Sequence, residues 1–321
     1  MSTVRWGILS TADIGMVKVT PAIQRADNCE VVAIASRNAD RAASAAAQLG
    51  IPTTYGSYEE LLAADDIDAV YIPLPNDLHA EWTINAAAAG KHILCEKPLG
   101  MTAAEARSMA AACENAGVKL AEAFMYRHHP SWVEARRLVD DGAIGSLQAV
   151  QSWFSYFNDD SANIRNRMEN GGGAIMDIGC YNINLSRMLF GSEPDRIEAS
   201  VRRDPEMGID IVSSAVLEFA GGGQSTFTCS TRAEDYQRVH IMGSTGRIEI
   251  EIPFNIPPDR ETRIFLTRNG ETETITFAPA DQYTIQAELF ATAILDDTPV
   301  AVGVDDAIAN MEVIETILGT G

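Results

Sequence analysis

Three side chains could handle a proton and a developing charge at a single carbon atom: Lys97, Asp177 and Tyr181. Asp177 and Tyr181 stand four residues apart at the start of a helical pattern that continues to Phe190, so we expect them on one helix face. A tyrosine, whose pKa is ordinarily near ~10, acts as a base at neutral pH only if a cation such as Lys97 lowers that pKa. The pair fits removal of an alcohol proton during hydride transfer. A core tyrosine with a satisfied hydroxyl is the alternative.

Lys97 follows a short apolar run, His92 to Cys95, and precedes Pro98. A residue before proline is biased toward extended backbone, and ligands of open α/β sheets bind beyond the carboxyl ends of the strands. The sequence therefore favours Lys97 at a ligand site, with a plain surface charge as the alternative.

A second pattern, at the start of the chain, is typical of phosphate binding. The apolar run Val4 to Leu9 leads into a turn at the place of a G-x-G-x-x-G fingerprint, with Ser10 for the first glycine and Ala12 for the second. Small residues let a backbone and a helix N-terminus approach a pyrophosphate. The predicted cofactor contacts in this turn are Ser10, Thr11, Ala12, Ile14 and Gly15.

The end of the second apolar run, Glu30 to Ser36, predicts which dinucleotide binds. Folds that select NAD place a carboxylate there for the ribose 2'-hydroxyl. Here the run ends at Ser36, followed by Arg37 and, one turn later, Arg41. Two guanidiniums without a carboxylate suit a 2'-phosphate, so we expect NADP; ordinary surface arginines are the alternative.

The order of the elements positions these residues. Over residues 4–122, apolar runs without alternation are separated by Ala-rich helical stretches, which predicts a parallel sheet covered on both faces. From about Gln148 the apolar period becomes two, with helical interruptions at residues 173–190 and 284–295, which predicts a mainly antiparallel sheet. We therefore predict an α/β protein: an N-terminal Rossmann domain, residues 1–123, with a doubly wound parallel sheet, and a C-terminal α+β domain, residues 124–321, with an open sheet. The second domain would bind substrate and mediate oligomerisation.

Charge and composition exclude several classes of partner. The net charge of −21 repels nucleic-acid backbones and anionic lipid, and no apolar run is long enough to span a bilayer. Five cysteines without a C-x-x-C pair suit a reducing compartment, and only three residues precede the first predicted strand, so we expect a cytoplasmic protein. We expect no metal site, because His128 and His129 are adjacent and no third ligand stands at metal-binding spacing.

One strand carries an aromatic cluster: Trp153, Phe154, Tyr156 and Phe157. These residues favour a sheet core or a surface between subunits over a sugar-stacking platform. Because an open sheet would leave some of these aromatic side chains exposed to solvent in a monomer, we expect a homo-oligomer, a dimer or a tetramer.

Five segments together resemble the Gfo/Idh/MocA oxidoreductase family. They are Ser10 to Gly15, Pro73 to His79, Cys95 to Leu99, Phe124 to Pro130 and Gly171 to Tyr181. The closest similarity is to the branch of glucose-fructose oxidoreductase, NADP-dependent D-xylose dehydrogenase and dimeric dihydrodiol dehydrogenase.

The resemblance implies a set of site residues and a reaction. Cofactor contacts would extend to Pro73, Asn76, His79, Glu96, Lys97 and Tyr283, and Lys97, Asp177 and Tyr181 would be catalytic. The implied function is NADP(H)-dependent hydride transfer to or from a carbinol or carbonyl carbon of a sugar or sugar-like polyol, as an aldose dehydrogenase or ketosugar reductase. The alternatives are a trans-dihydrodiol dehydrogenase and a non-catalytic regulator that senses dinucleotide.

Overall fold

The apolar runs of the first part of the chain form a six-stranded parallel sheet in the computed structural model, which describes residues 3–319. Its strands stand in the order β3-β2-β1-β4-β5-β6. The strand order reverses between β1 and β4, and such a switch point is where doubly wound sheets bind ligands. The strands are β1 (Val4–Leu9), β2 (Cys29–Ala35), β3 (Thr53–Tyr55), β4 (Ala69–Ile72), β5 (His92–Cys95) and β6 (Leu120–Glu122).

Helices connect these strands, and local signals set their ends. The side chains of Asn38, Ser57 and Thr102 accept backbone N–H bonds at three helix N-termini. Gly50 and Gly117 take left-handed backbone conformations where two helices end. The helices are α1 (Thr20–Arg25), α2 (Ala39–Leu49), α3 (Tyr58–Leu62), α4 (Asn76–Ala88) and α5 (Ala103–Ala116).

The second part of the chain forms an eight-stranded sheet in the order β14-β13-β12-β11-β7-β10-β9-β8. All neighbouring strands in it are antiparallel except β7 and β10. The predicted fold class is thereby confirmed. The strands are β7 (Leu147–Phe157), β8 (Pro194–Arg203), β9 (Asp210–Phe219), β10 (Gln224–Ser230), β11 (Arg232–Gly243), β12 (Gly246–Ile250), β13 (Thr262–Arg268) and β14 (Glu271–Phe277).

Within the described residues, the α-helices of this later part of the sequence are α6 (Pro130–Asp140), α7 (Cys180–Phe190), α8 (Gln282–Leu295) and α9 (Val304–Leu318). The sequence patterns did not indicate α6 or α9. Pro130 occupies the first turn of α6, and the imidazole of His129 accepts the Ser131 N–H. Proline in the first turn is a helix-start signal, which was overlooked here because the two adjacent histidines were considered only as metal ligands. None of the helices in residues 3–319 is long and apolar enough to cross a membrane.

The chain divides into two compact units: the described parts of Met1–Met125 with Tyr283–Met311, and of Tyr126–Gln282 with Glu312–Gly321. The predicted boundary near residue 123 does not account for α8, most of which belongs to the first unit although it comes late in the sequence. The ring of Phe290 lies 5.7 Å from that of Trp6, and Thr284 Oγ1 donates to the carbonyl of Ala22. Apolar burial against β1 therefore brings a late helix back to the first sheet.

Candidate active site

The turn after β1 keeps a glycine-like backbone without glycine at its first position. Ser10 has φ 144°, a conformation that side chains rarely adopt, and its Oγ accepts the Ala12 N–H at 3.1 Å. Gly15 is buried, and a Cβ there would lie 3.3 Å from Pro73 Cγ. The turn thus has the close packing against the neighbouring strand that a pyrophosphate cradle needs.

The helix after this turn starts in an unexpected form. Residues Gly15–Val19 are π-helical and continue directly into α1. Short π-helical segments occur frequently at functional sites. The sequence did not indicate this form, because no residue pattern distinguishes a π segment from an α-helix.

The end of β2 offers exposed cations. Ser36 is buried, and its Oγ accepts the Asn38 N–H at 3.3 Å. Arg37 and Arg41 are exposed, and within residues 3–319 neither guanidinium has a salt bridge or a side-chain hydrogen bond. No carboxylate occupies the position that binds a ribose 2'-hydroxyl. These donors fit a 2'-phosphate, and therefore NADP.

The loops after β4 and β5 are joined by His79. Its Nδ1 lies 2.9 Å from the carbonyl oxygen of Pro98, its Nε2 lies 2.8 Å from that of Leu74, and the side chain is fully buried. The Lys97-Pro98 peptide bond is cis. His79 therefore fixes the loop that carries Lys97, a role that the sequence did not indicate; its direct contact with the cofactor stays a prediction.

Glu96 is bound by a residue that the sequence analysis missed. The hydroxyl of the fully buried Tyr71 donates to Glu96 Oε1 at 2.6 Å. Burial, the charge of Glu96 and the nearby Tyr283 raise the pKa of Tyr71 far above its usual value, so the phenol stays a donor. Tyr71, Glu96 and Tyr283 thus lie close to one another. Pro73 and Asn76 follow β4, the strand that carries Tyr71.

Asp177 is held by two further residues outside the predicted set. Tyr156 donates from Oη to Asp177 Oδ2 at 2.5 Å, and Arg165 donates from Nε to Oδ1 at 3.2 Å. Burial, followed by the charge of Asp177, raises the pKa of Tyr156, so Tyr156 donates and does not act as a base. Tyr156 lies on the opposite face of β7 from Trp153 and Phe157, and the sequence offered no sign of its partner.

The segment around Asp177 depends on close approaches of neighbouring groups to its glycines. Ile175–Gly179 is π-helical and leads into α7. Gly173 has φ 124°, and a Cβ there would lie 2.1 Å from Asp210 Oδ1. The other carboxylate oxygen of Asp210 accepts the Ile175 N–H at 2.9 Å. A side chain at Gly173 would displace this anchor, so the segment requires glycine.

The ring of Tyr181 belongs to a buried aromatic cluster. It is 6% exposed and lies 5.2 Å from Phe254, 5.7 Å from Phe154 and 5.8 Å from Tyr126 between centroids. The packing alternative is therefore correct for the ring. A catalytic role for the hydroxyl stays a prediction.

The adjacent histidines have structural contacts. Burial lowers the pKa of both His128 and His129 to about 4, and in His128 the charge of Arg127 adds to this effect. His129 Nδ1 lies 2.7 Å from Ser131 Oγ at the start of α6. In the part of the chain that the structure describes, no three histidine, cysteine or acidic side chains are grouped as metal ligands would be.

Comparisons with known proteins cover almost the whole chain. A D-xylose 1-dehydrogenase (NADP(+)) of Haloferax volcanii is 41% identical over 97% of this chain and 95% of its own length. An uncharacterized oxidoreductase of Rhizobium meliloti is 44% identical over 99% of this chain and 96% of its own length. The crystal structure of KijD10, a 3-ketoreductase from Actinomadura kijaniata, in complex with NADP and TDP-benzene, superimposes with a TM-score of 0.93 at 30% identity. That match covers 99% of this chain and 98% of the other.

Two family models together match most of residues 4–249. One describes an oxidoreductase family with an NAD-binding Rossmann fold and matches residues 4–124. The other describes the GFO/IDH/MocA C-terminal domain and matches residues 132–249. As its motifs predicted, the chain belongs to the GFO/IDH/MocA family of oxidoreductases.

Proposed function

We propose that the protein is an NADP(H)-dependent oxidoreductase that transfers hydride to or from a carbinol or carbonyl carbon of a sugar or sugar-like polyol. The observation that carries this proposal is the carboxylate of Asp177, held by Tyr156 and Arg165 four residues before the phenol of Tyr181. Its relatives include a D-xylose 1-dehydrogenase and a dTDP-3,4-didehydro-2,6-dideoxy-α-D-glucose 3-reductase, whose names give substrates of this kind.

The cofactor is NADP, whose nicotinamide supplies or accepts the hydride. Although the family model is described as NAD-binding, this chain has Arg37 and Arg41 where a carboxylate would select NAD. Both the xylose dehydrogenase and the 3-ketoreductase structure carry NADP in their descriptions. The turn from Ser10 to Gly15 would bind the pyrophosphate.

The side chains divide the remaining chemistry. In the oxidative direction, Tyr181 takes the proton from the substrate hydroxyl as the carbon loses hydride, and in the reductive direction it returns that proton. The phenolate form that this role requires is one that a cation such as Lys97 stabilises. Asp177 accepts a hydrogen bond from a further substrate hydroxyl and thereby orients the ring.

A substrate panel tests this function. Purified protein is mixed with NADP and a series of pentoses, hexoses and trans-dihydrodiols, or with NADPH and the corresponding lactones and keto sugars, and NADPH absorbance is followed. We expect turnover with at least one aldose or keto sugar. Turnover of dihydrodiols alone would reassign the substrate class, and tight NADP binding without turnover of any compound would favour a regulator.

We further propose that the protein self-associates through the outer sheet face, the row of side chains that includes Gln151, Trp153, Tyr236 and Arg238. These residues line a concave surface with a cavity of about 580 Å³. Trp153 is 40% exposed and Tyr236 is 49% exposed. Large exposed aromatic residues on one continuous face are typical of interaction surfaces.

The charge of the outer sheet face favours a second copy of this chain as its occupant. Residues directly opposite each other on paired strands share a face. On that basis the paired strand residues of this face include six arginines and only three glutamates, although the net charge of the whole chain is −21. They are Arg196, Arg202, Arg232, Arg238, Arg247 and Arg263, with Glu198, Glu218 and Glu249. Two such acidic molecules can therefore meet through this face without bringing their excess carboxylates together.

Sedimentation tests this interface. We expect the wild-type protein to sediment at a multiple of 34.7 kDa at micromolar concentration, and Trp153→Asp to sediment as the monomer. Val133→Asp changes an exposed apolar residue of α6 in the same way and should leave the mass unchanged. A monomeric wild-type protein would refute the proposal.

The cytoplasm remains the proposed location. None of the five cysteines, all within residues 3–319, forms a disulfide bond, and burial raises the pKa of four of them, Cys29, Cys95, Cys113 and Cys229. Protonated, buried thiols suit a reducing compartment. Fractionation of the source cells tests this location, and recovery from the exported fraction would contradict it.

A further inference from the structure

Asp177 is oriented by a hydrogen-bond pair that has no counterpart in the sequence motifs. We propose that Tyr156, assisted by Arg165, is a positioning residue that fixes the Asp177 carboxylate for recognition of a substrate hydroxyl. This inference rests on the proposed function, because it assumes that Asp177 binds the sugar.

The sheet supports Tyr156 through the residue before it. Tyr156 lies on β7 and follows Ser155, at which β7 is paired with β10 on one side and with β11 on the other. On the same strand, Ser152 Oγ accepts a hydrogen bond from Asn182 Nδ2 at 2.8 Å, and the ring of Phe154 lies 5.7 Å from that of Tyr181. Side chains two residues apart on a strand share a face, so Ser152, Phe154 and Tyr156 form one row against α7 and its π-helical start.

The bonds to Asp177 divide between its two oxygens. Tyr156 donates to Oδ2 and Arg165 donates to Oδ1. A carboxylate offers about four lone-pair sites, so these two bonds alone do not exhaust its capacity to accept from a sugar hydroxyl. Two donors on separate oxygens also fix the plane of the carboxylate, which sets the direction from which a hydroxyl can approach.

The partners differ in kind. Tyr156 contributes a neutral, buried donor that stays protonated, because burial and the charge of Asp177 both raise its pKa. Arg165 contributes charge from a side chain that is 44% exposed, where solvent weakens the attraction. We therefore assign the larger part of the positioning to Tyr156.

The test is a double-mutant cycle on the full-length protein, with the sugar that the substrate panel identifies. Tyr156→Phe keeps the ring and removes the donor. We expect kcat/KM for the sugar to fall about ten- to a hundredfold, the range for one hydrogen bond to a charged group, mainly through a higher KM. The Kd for NADP should stay within about twofold, since a lost sugar contact removes only sugar-binding free energy.

In the Asp177→Ala background, Tyr156→Phe should lower kcat/KM by less than about threefold, because the partner of Tyr156 is already absent. Alanine is used because an asparagine amide would still accept the tyrosine hydroxyl. Tyr58→Phe removes the hydroxyl of another buried tyrosine and serves as the control. Arg165→Gln tests the same carboxylate without altering the sheet, and we expect a smaller rise in KM.

Two outcomes would overturn the positioning role. Equal losses from Tyr156→Phe in the wild-type and Asp177→Ala backgrounds would mean that Tyr156 acts independently of Asp177. An unchanged KM in both Tyr156→Phe and Arg165→Gln would mean that neither residue positions the carboxylate. If Asp177→Ala itself keeps full activity, the fault lies in the site proposed for the reaction and not in the positioning step.

Discussion

The hydroxyl of Tyr71 donates to the carboxylate of Glu96 at 2.6 Å and so joins the carboxyl ends of two neighbouring strands, β4 and β5. We predict that Tyr71→Phe lowers the free energy of unfolding by about 1.5–3 kcal/mol, because Glu96 loses a buried donor. Urea unfolding measures this change. Tyr58→Phe should lower the free energy of unfolding clearly less. Equal decreases in the two variants would show that the bond to Glu96 adds nothing to stability.

Cofactor selection gives a second prediction. Arg37→Ala combined with Arg41→Ala should raise the Kd for NADP about ten- to a hundredfold and leave the Kd for NAD nearly unchanged, because only NADP carries the 2'-phosphate. Arg260→Ala, at another exposed arginine, is the control. Calorimetric titration with both dinucleotides measures the effect. A wild-type protein that binds NAD more tightly than NADP would contradict the assignment.

Ser10 combines an unfavourable φ with a compensating hydrogen bond. Ser10→Ala keeps the Cβ at φ 144° and loses the bond to the Ala12 N–H, whereas Ser10→Gly loses the bond but relieves the backbone. We predict that the glycine variant has the higher free energy of unfolding, by about 1 kcal/mol or more. Equal stabilities in urea would mean that the turn is unstrained.

Stability should also depend on pH through His129. Burial lowers its pKa to about 4, whereas the unfolded chain has an ordinary value near 6.5. Between these values the unfolded state binds more protons, so the free energy of unfolding falls as the pH falls. Asparagine can also accept the Ser131 N–H at the start of α6. His129→Asn should therefore lose about 2 kcal/mol less than the wild type between pH 7 and pH 5. Parallel pH profiles of the two proteins would refute this origin.

How far the sequence predicts this molecule depends on the range of each interaction. The turn from Ser10 to Gly15 and the glycines before Asp177 were predictable because local backbone geometry demands small residues there. The contacts Tyr156–Asp177 and Tyr71–Glu96 join residues 21 and 25 positions apart, and no single-sequence pattern records such a pairing. The packing of α8 against Trp6 could not be predicted for the same reason, because the apolar residues of α8 could pack equally well against either unit.

In the proposed function, Tyr181 transfers the proton in an NADP-dependent oxidation or reduction of a sugar. The most direct measurement is steady-state NADPH absorbance for the wild type and Tyr181→Phe with the best substrate of the panel, together with the Kd for NADP of each protein. We predict that kcat falls by about two to four orders of magnitude, the range for loss of a general acid or base, while the Kd changes by less than about threefold. A folded Tyr181→Phe protein whose kcat stays within about threefold of the wild type, far short of an acid-base effect, would contradict the account.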